Sequence, residues 1–224
     1  MNIVYKFVFL CSFLFCNTAF SQGVAITQNE AKIWANQKGN ELIQTLGMKD
    51  IIEKHSKLDK MMTEDVNLDY ISKFVIGKYA RKMNENQKSK YSQLFQRYVL
   101  SIYKQFNIQF NEDDIDFTID KITEHPNYTT VFCSINASKI VKDVEVEKIP
   151  VAFKLIRGNK NKIQAVDIEI SNVSMVIEYR KKFYKMIIDE GEEIDWFLEK
   201  FEDKIIANEE AVERIMNIQQ INRP

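Results

Sequence analysis

The spacing of hydrophobic positions changes twice along this chain, dividing it into a helical first half, a strand-rich middle and a helical end. From Gln28 to about Phe106, apolar residues recur every three to four positions. Ala31, Ile33, Trp34, Leu42, Ile43 and Leu46 predict an amphipathic helix that stops near Gly47, with Gly39 weakening its middle. Ile51, Ile52, Leu58, Met61 and Met62 predict a second helix from about Asp50 to Met62. In a third, Leu68, Ile71, Phe74, Val75 and Tyr79 share a face, and Asp69 sits at the end of the helix dipole that favours an acid. The fourth, Asn86 to Phe106, carries a broad stripe of Tyr91, Leu94, Phe95, Tyr98, Val99, Ile102 and Phe106.

Beyond it the period drops to two. Ile115, Phe117 and Ile119, then Val131, Cys133, Ile135 and Ala137, then Val151, Phe153 and Leu155, and finally the run Ile163 to Ile170 predict four strands. Their connections are His125-Pro126-Asn127, the polar segment Lys142 to Glu147, and Gly158-Asn159-Lys160-Asn161. Connections this short make neighbours of successive strands, so a four-stranded antiparallel meander with one covered face is expected. Asp167 to Gly191 then passes from strand to helix without a break. Ile168 and Ile170 alternate with Asp167, Glu169 and Ser171, whereas Val176, Ile177, Arg180, Phe183, Tyr184 and Ile187 follow helical spacing. Ser174 can cap this helix and Gly191 can end it in the left-handed conformation. The helix should lie back over the sheet, placing any cleft between those two layers. Further helices are expected from Glu193 to about Ile206 and from Glu209 to Gln219. The fold class is α+β, with helices from both ends packed on a curved four-stranded antiparallel sheet.

The first residues do not belong to this pattern. In Met1 to Gln22, Lys6 precedes an apolar run from Phe7 to Phe15, and Ala19 and Ser21 supply the small residues of a cleavage site. That is the pattern of a secretory signal peptide. Phe15 stands where a lipid-modified Cys16 would need a small residue, which argues against a lipoprotein. The chain has 31 Lys and Arg against 32 Asp and Glu, and removing Lys6 takes the net charge from −1 to −2. No basic stripe is left to hold nucleic acid. Cys11 and Cys16 leave with the same segment, so Cys133 has no intrachain disulfide partner and reads as a small buried hydrophobe.

Motifs that carry chemistry are sparse. His55 and His125 have no Cys, His or carboxylate at metal-ligand spacing, so no metal site is expected. The isolated glycines make no phosphate loop, and there is no nucleophile elbow. Asp113, Asp114 and Asp116 lack the glycine and terminal glutamate of a calcium loop and read as a solvated approach to a strand. Asn127, Asn136 and Asn172 open glycosylation-type tripeptides, a coincidence in an Asn-rich chain. Asp167 is the one acid that a cone of curved sheet and helices could enclose. The plainer and favoured reading has it facing solvent or paired with Lys or Arg.

Several stretches, taken in order, resemble the MlaC family, also called the toluene-tolerance auxiliary family. Phe74, Gly77, Lys78 and Tyr79 match its Phe-x-x-Gly-(Arg/Lys)-Tyr motif, and Gln87, Phe95 and Tyr103 match its Gln-rich helix reaching a Tyr. Asp167, Ile168, Val173, Ser174, Tyr179, Arg180 and Phe183 match its Asp-(Val/Ile), Val-Ser and Tyr-Arg-x-x-Phe positions. The chain departs from the family at Ile163, commonly Trp, at Val166, commonly Tyr, and at Asn172, commonly Gly. Asn tolerates the left-handed conformation, so the turn at Asn172 can survive; the two missing aromatics would change the shape of a cavity. Nothing beyond about Asp203 matches. The resulting division is a signal peptide over 1–22, an MlaC-like phospholipid-binding domain over 23–206 and a helical tail over 207–224.

The resemblance implies a periplasmic phospholipid carrier rather than an enzyme, with no cofactor, metal or nucleophile. Its partners would be an inner-membrane ABC transporter complex containing an MCE protein and an outer-membrane lipoprotein/porin complex, and its task the upkeep of outer-membrane lipid asymmetry. A monomer is expected. An acyl chain gains about 0.8 kcal/mol per buried CH₂, so two tails would exceed the practical affinity ceiling of about 18 to 21 kcal/mol. A carrier that also releases its cargo therefore needs an enclosed hydrophobic cavity opened by docking, with the headgroup near solvent and weakly selected. Candidate lining residues are Val131, Cys133, Ile135, Val151, Phe153 and Leu155 on the inner strand face. On the helices and the corner leading to them they are Tyr70, Phe74, Tyr98, Ile102, Val173, Val176, Tyr179 and Phe183. Ordinary core is at least as good a reading of each. Asp167, Ser174 and Arg180 are expected to be structural, Arg180 by satisfying carbonyls or pairing with Asp167. Two other readings stay open: a periplasmic structural adaptor with a filled core, and an enzyme using Asp167 as a base.

Overall fold

The computed structural model of the chain describes residues 25–105, 114–136 and 148–221. The expected signal peptide, the Phe106 end of the fourth helix, Asp113, Ala137 and the Lys142 to Glu147 connection lie outside the described residues. Side-chain caps set where the first four helices start. Thr27 and Glu30 form a capping box on α1 (Gln28–Gly47), Asp50 caps α2 (Ile51–Asp65), Asn67 caps α3 (Leu68–Ile76), and Asn84 with Gln87 forms a second capping box on α4 (Glu85–Lys104). Between α3 and α4 the chain passes through a 3-10 turn, Gly77–Lys82.

The buried stripe of α1 consists of small residues, Ala31, Ala35 and Gly39, while Ile33 is 58% exposed. A Cβ on Gly39 would lie 2.7 Å from the Phe117 ring. The glycine that reads as a weak point in the sequence is where a ring of the sheet rests on the helix.

Five strands form an antiparallel meander in chain order: β1 (Asp116–Glu124), β2 (Thr129–Asn136), β3 (Ile149–Arg157), β4 (Ile163–Ile170) and β5 (Val173–Ser174). The expected four strands are thus corrected to five. The fifth is two residues long, too short to display a period. Ser171 and Asn172 take φ of 50° and 63°, the double left-handed turn that matches strand twist, and fold Val173 back against Ile170. Two bulges interrupt the ladder, one at Asp120 and one at Val166. At the second, Lys154 pairs with Asp167 and Leu155 with Ala165, so Val166 is the extra residue. The bulge sends Val166 into a different core from Ala165 and Ile168.

Helix α5 (Met175–Asp189) follows β5 directly and ends at Gly191, φ 65°. The two further helices expected from Glu193 are a single one, α6 (Ile194–Ile221). Ile206-Ala207-Asn208-Glu209 contains no Gly or Pro to interrupt it. At that point Asn208 donates to the Ser101 hydroxyl and Arg97 clamps the Glu209 carboxylate, tying α6 to α4. Two hydrophobic cores result. One lies between α1 and the sheet; the other joins α3, α4, α5 and α6, and β4 reaches it through Val166.

Candidate functional site

The β4–α5 corner is held by one carboxylate. Asp167, 8% exposed, accepts from the Ser174 hydroxyl at 2.6 Å and from the Val176 amide at 3.2 Å. Ser174 in turn accepts from the Ile177 amide at 3.2 Å. An acid placed at a helix N-terminus also gains from the dipole. Asp167 therefore neither faces solvent nor pairs with a basic residue, as the plainer reading had it; its partners lie seven and nine residues further along the chain.

A second knot fastens α3 to α5. Arg180 donates to the Phe74 carbonyl through Nε at 2.9 Å and through its Nη2 as well, and its guanidinium lies 3.6 Å from the Phe74 ring centroid. Gly77 stands at φ 48°, and a Cβ there would collide with the Tyr184 hydroxyl. That hydroxyl accepts from the Lys78 amide at 3.1 Å, and the Tyr184 and Tyr79 rings meet edge to face at 5.0 Å. Phe74, Gly77, Lys78, Tyr79 and Arg180 thus build a helix junction.

Between the corner and this junction lies the interlayer space. The α2–α3 link seals the outer edge of β4, Asn67 donating its amide to the Ala165 carbonyl at 2.9 Å. Behind it Met62, Val66, Leu68, Ile71, Val99, Tyr103, Met175, Val176 and Tyr179 converge on Ala165, Asp167 and Ile168 around a cavity of about 30 Å³. Such a space holds a water molecule or two, whereas small-molecule sites run to about 300–1,000 Å³. The space that the described residues enclose here is thus far smaller than the deep cavity expected from the sequence. The phenols of Tyr103 and Tyr179 are hydrogen-bonded to each other there, and burial pushes both above the usual phenol range, with the nearby Asp167 charge adding to the rise at Tyr103. On the other side of Asp167 and Val176 a groove of about 160 Å³ opens outward, lined also by Tyr70, Phe74, Lys154, Glu169 and Ile177. Asp167 and Val176 border both spaces.

The candidate lining residues separate into groups. Val176 and Tyr179 face the interlayer cavity; Tyr70, Phe74 and Val176 line the outer groove. Tyr98 and Phe183 stand in the aromatic core of the helices, with Ile102 packed against it. Val131, Cys133, Val151, Phe153 and Leu155, with Ile135 beside them, lie in the core under α1. Val173 is exposed on the edge strand. Burial raises the Cys133 thiol to about 12, so it is inert as a nucleophile. Sequence reasoning missed Met62, Val66, Leu68, Ile71, Val99, Tyr103, Ala165, Ile168 and Met175 as lining. Most fit an ordinary helix or strand pattern, and only the packing of the helices against β4 turns them toward one space. Among the described residues, no group of three or more His, Cys, Asp or Glu could hold a metal ion, and no helix is long and apolar enough to cross a membrane.

The site is thus built where a helical layer meets the last strands of an antiparallel meander in an α+β fold. The MlaC protein family model matches residues 37–203, and the chain belongs to the MlaC family. Among solved structures, a phospholipid-binding protein from Ralstonia solanacearum, in complex with a phospholipid, shares the fold at a TM-score of 0.62 and 11% identity, over 79% of this chain and 97% of that one. No curated protein matches the chain.

Proposed function

We propose that the protein is a periplasmic phospholipid carrier. It would receive lipid from, or deliver it to, an outer-membrane lipoprotein/porin complex and an inner-membrane ABC transporter complex containing an MCE protein, and so help keep the outer membrane asymmetric. The observation that carries this reading is family membership across 37–203 on the fold of a protein solved with a phospholipid bound. The seam supports it: an apolar space bordered by the pliable side chains of Met62 and Met175 lies one hydrogen-bonded corner away from an outer groove. The acyl chains would enter by parting β4 from α3 and α5, with no covalent step and no catalytic group. The candidate lining residues nearest that path are Tyr70, Phe74, Val176 and Tyr179. The lipid-binding unit would run over 23–206, and the rest of α6 would brace it through Asn208 and Glu209.

A structural adaptor is favoured by one observation, the small size of the interlayer cavity. One experiment separates the two readings. Native mass spectrometry of the mature protein purified from the periplasm, followed by extraction, is expected to show one diacyl phospholipid per chain. A protein that carries none and takes none up from vesicles is an adaptor.

A further inference from the structure

The outer groove is unevenly charged. Lys154, Asp167 and Glu169 project from one face of the sheet, because Lys154 pairs with Asp167 across the ladder and Glu169 lies two residues further along β4. All three line the groove. Both Asp167 oxygens are engaged, by Ser174 and by the Val176 amide. Lys154 lies 5.0 Å from the Tyr128 ring centroid, and neither it nor Glu169 has an ion-pair partner among the described residues. The groove therefore holds one ammonium and one carboxylate without an ion-pair partner among the described residues, beside the half-exposed ring of Tyr70 and the exposed side chain of Ile177.

Two of the α5 amides that open onto it are already taken, Val176 by Asp167 and Ile177 by Ser174, which leaves Lys154 as the group to meet an incoming phosphate. A phosphate arriving without a cation of its own would meet one positive and two negative side chains. A phosphate joined to an amine has a partner for each of these two charges.

We infer that this groove receives the headgroup of a zwitterionic, amine-bearing phospholipid, with Lys154 on the phosphate, Glu169 on the ammonium and Tyr70 and Ile177 against the first carbons of the tails. The assignment rests on the carrier reading above and replaces the weak headgroup selectivity expected from the lack of a cationic cluster. It also places the headgroup directly outside the Asp167–Val176 contact that separates the groove from the interlayer cavity.

The test uses delipidated mature protein incubated with vesicles holding equal amounts of phosphatidylethanolamine and phosphatidylglycerol with identical acyl chains, the bound lipid being counted by extraction. A preference for the amine-bearing lipid of about fivefold is expected, the scale of a partly exposed charge pair. Glu169→Gln should bring the ratio towards one, and Glu169→Lys should reverse it in favour of phosphatidylglycerol. Equal uptake by the unmodified protein, or a ratio that neither substitution moves, overturns the headgroup site and leaves the carrier intact. Uptake of neither lipid overturns the carrier reading itself. Glycerophosphoethanolamine that competes as strongly as the whole lipid would show a site for a soluble headgroup and overturn the lipid assignment.

Discussion

The aromatic core of the helices and the seam along β4 lie side by side and are built on opposite rules. In the core, Phe183 is surrounded by Tyr91, Phe95, Tyr98, Phe197 and Phe201 at ring separations of 4.7 to 6.1 Å, and it is 1% exposed. Rings in these edge-on and tilted arrangements add to their area burial and leave little freedom. At the seam, contact between β4 and the helices runs through a few directed bonds: Asp167 to Ser174 and Val176, and the Asn67 amide to the Ala165 carbonyl. Methionines and a small void fill what is left. A layer held by a dense core can move as a unit, while one joined to its neighbour by a handful of hydrogen bonds can part there at modest cost. The contrast locates where a lipid carrier of this fold would open.

The sharpest way to break that comparison is to hollow out the core. Phe183→Ala should cost about 3–5 kcal/mol, read as a shift in urea midpoint at constant slope. A loss under about 1 kcal/mol would mean that the cluster is loosely packed and that the contrast is false. Next comes the junction that fastens α3 to α5. Gly77→Ala forces a side chain into the left-handed region and against the Tyr184 hydroxyl, a cost of about 1–3 kcal/mol. Because α3 and α5 both border the seam, the same variant should also lose bound lipid faster in a vesicle-transfer assay, whereas Phe183→Ala should act on stability first.

At the seam itself, Ser174→Ala removes the α5 cap and one of the two bonds to Asp167. About 1 kcal/mol of stability is expected to go, well below the loss at Phe183. A loss as large as that of Phe183→Ala would make the corner part of the same rigid body, and the layers would then have no weak joint.

Much of this arrangement was legible in the sequence, and the parts that were not share a cause. Period located the helices and the longer strands, and it found the faces of α3 and α4, because burial on one side writes itself directly into spacing. Ser174 and Gly191 announced the ends of α5 because caps have their own chemistry. The fifth strand escaped because two residues carry no period, and the unbroken α6 because its would-be joint is held by Arg97 and Ser101, more than a hundred residues away in the chain. The candidate lining set mixed two cores for a related reason. Spacing puts Phe183 and Tyr179 on the inner side of α5, but does not report that one meets five rings and the other a single ring and the edge of a void. The bulge at Val166 compounds this by exchanging the faces of β4 midway along the strand.

The smallest expected effect concerns the contact where α2 meets the end of α4. His55 is 6% exposed and its Nε2 lies 3.0 Å from the Lys104 carbonyl. A carbonyl only accepts, so Nε2 carries the hydrogen. Burial lowers the His55 pKa below its ordinary value of 6.5, outweighing the support of that hydrogen bond. Below pH 6.5 the unfolded chain takes up a proton that the folded chain refuses, so stability is full above that pH and falls as the pH drops through the lowered value. The slope should stay within about 1.4 kcal/mol per pH unit, the limit for one group, and should vanish in His55→Gln. Glu30 titrates in a separate window: its pKa is lowered to about 2, chiefly by its hydrogen bond to Arg157, so its contribution is lost only as pH falls below 4.5. Urea titrations between pH 5 and 7.5 therefore report on His55 without interference from Glu30. If lipid release quickens over the same interval in the unmodified protein but not in His55→Gln, the α2–α4 contact belongs to the joint that opens; if stability changes and release does not, the joint lies wholly on the α3 and α5 side.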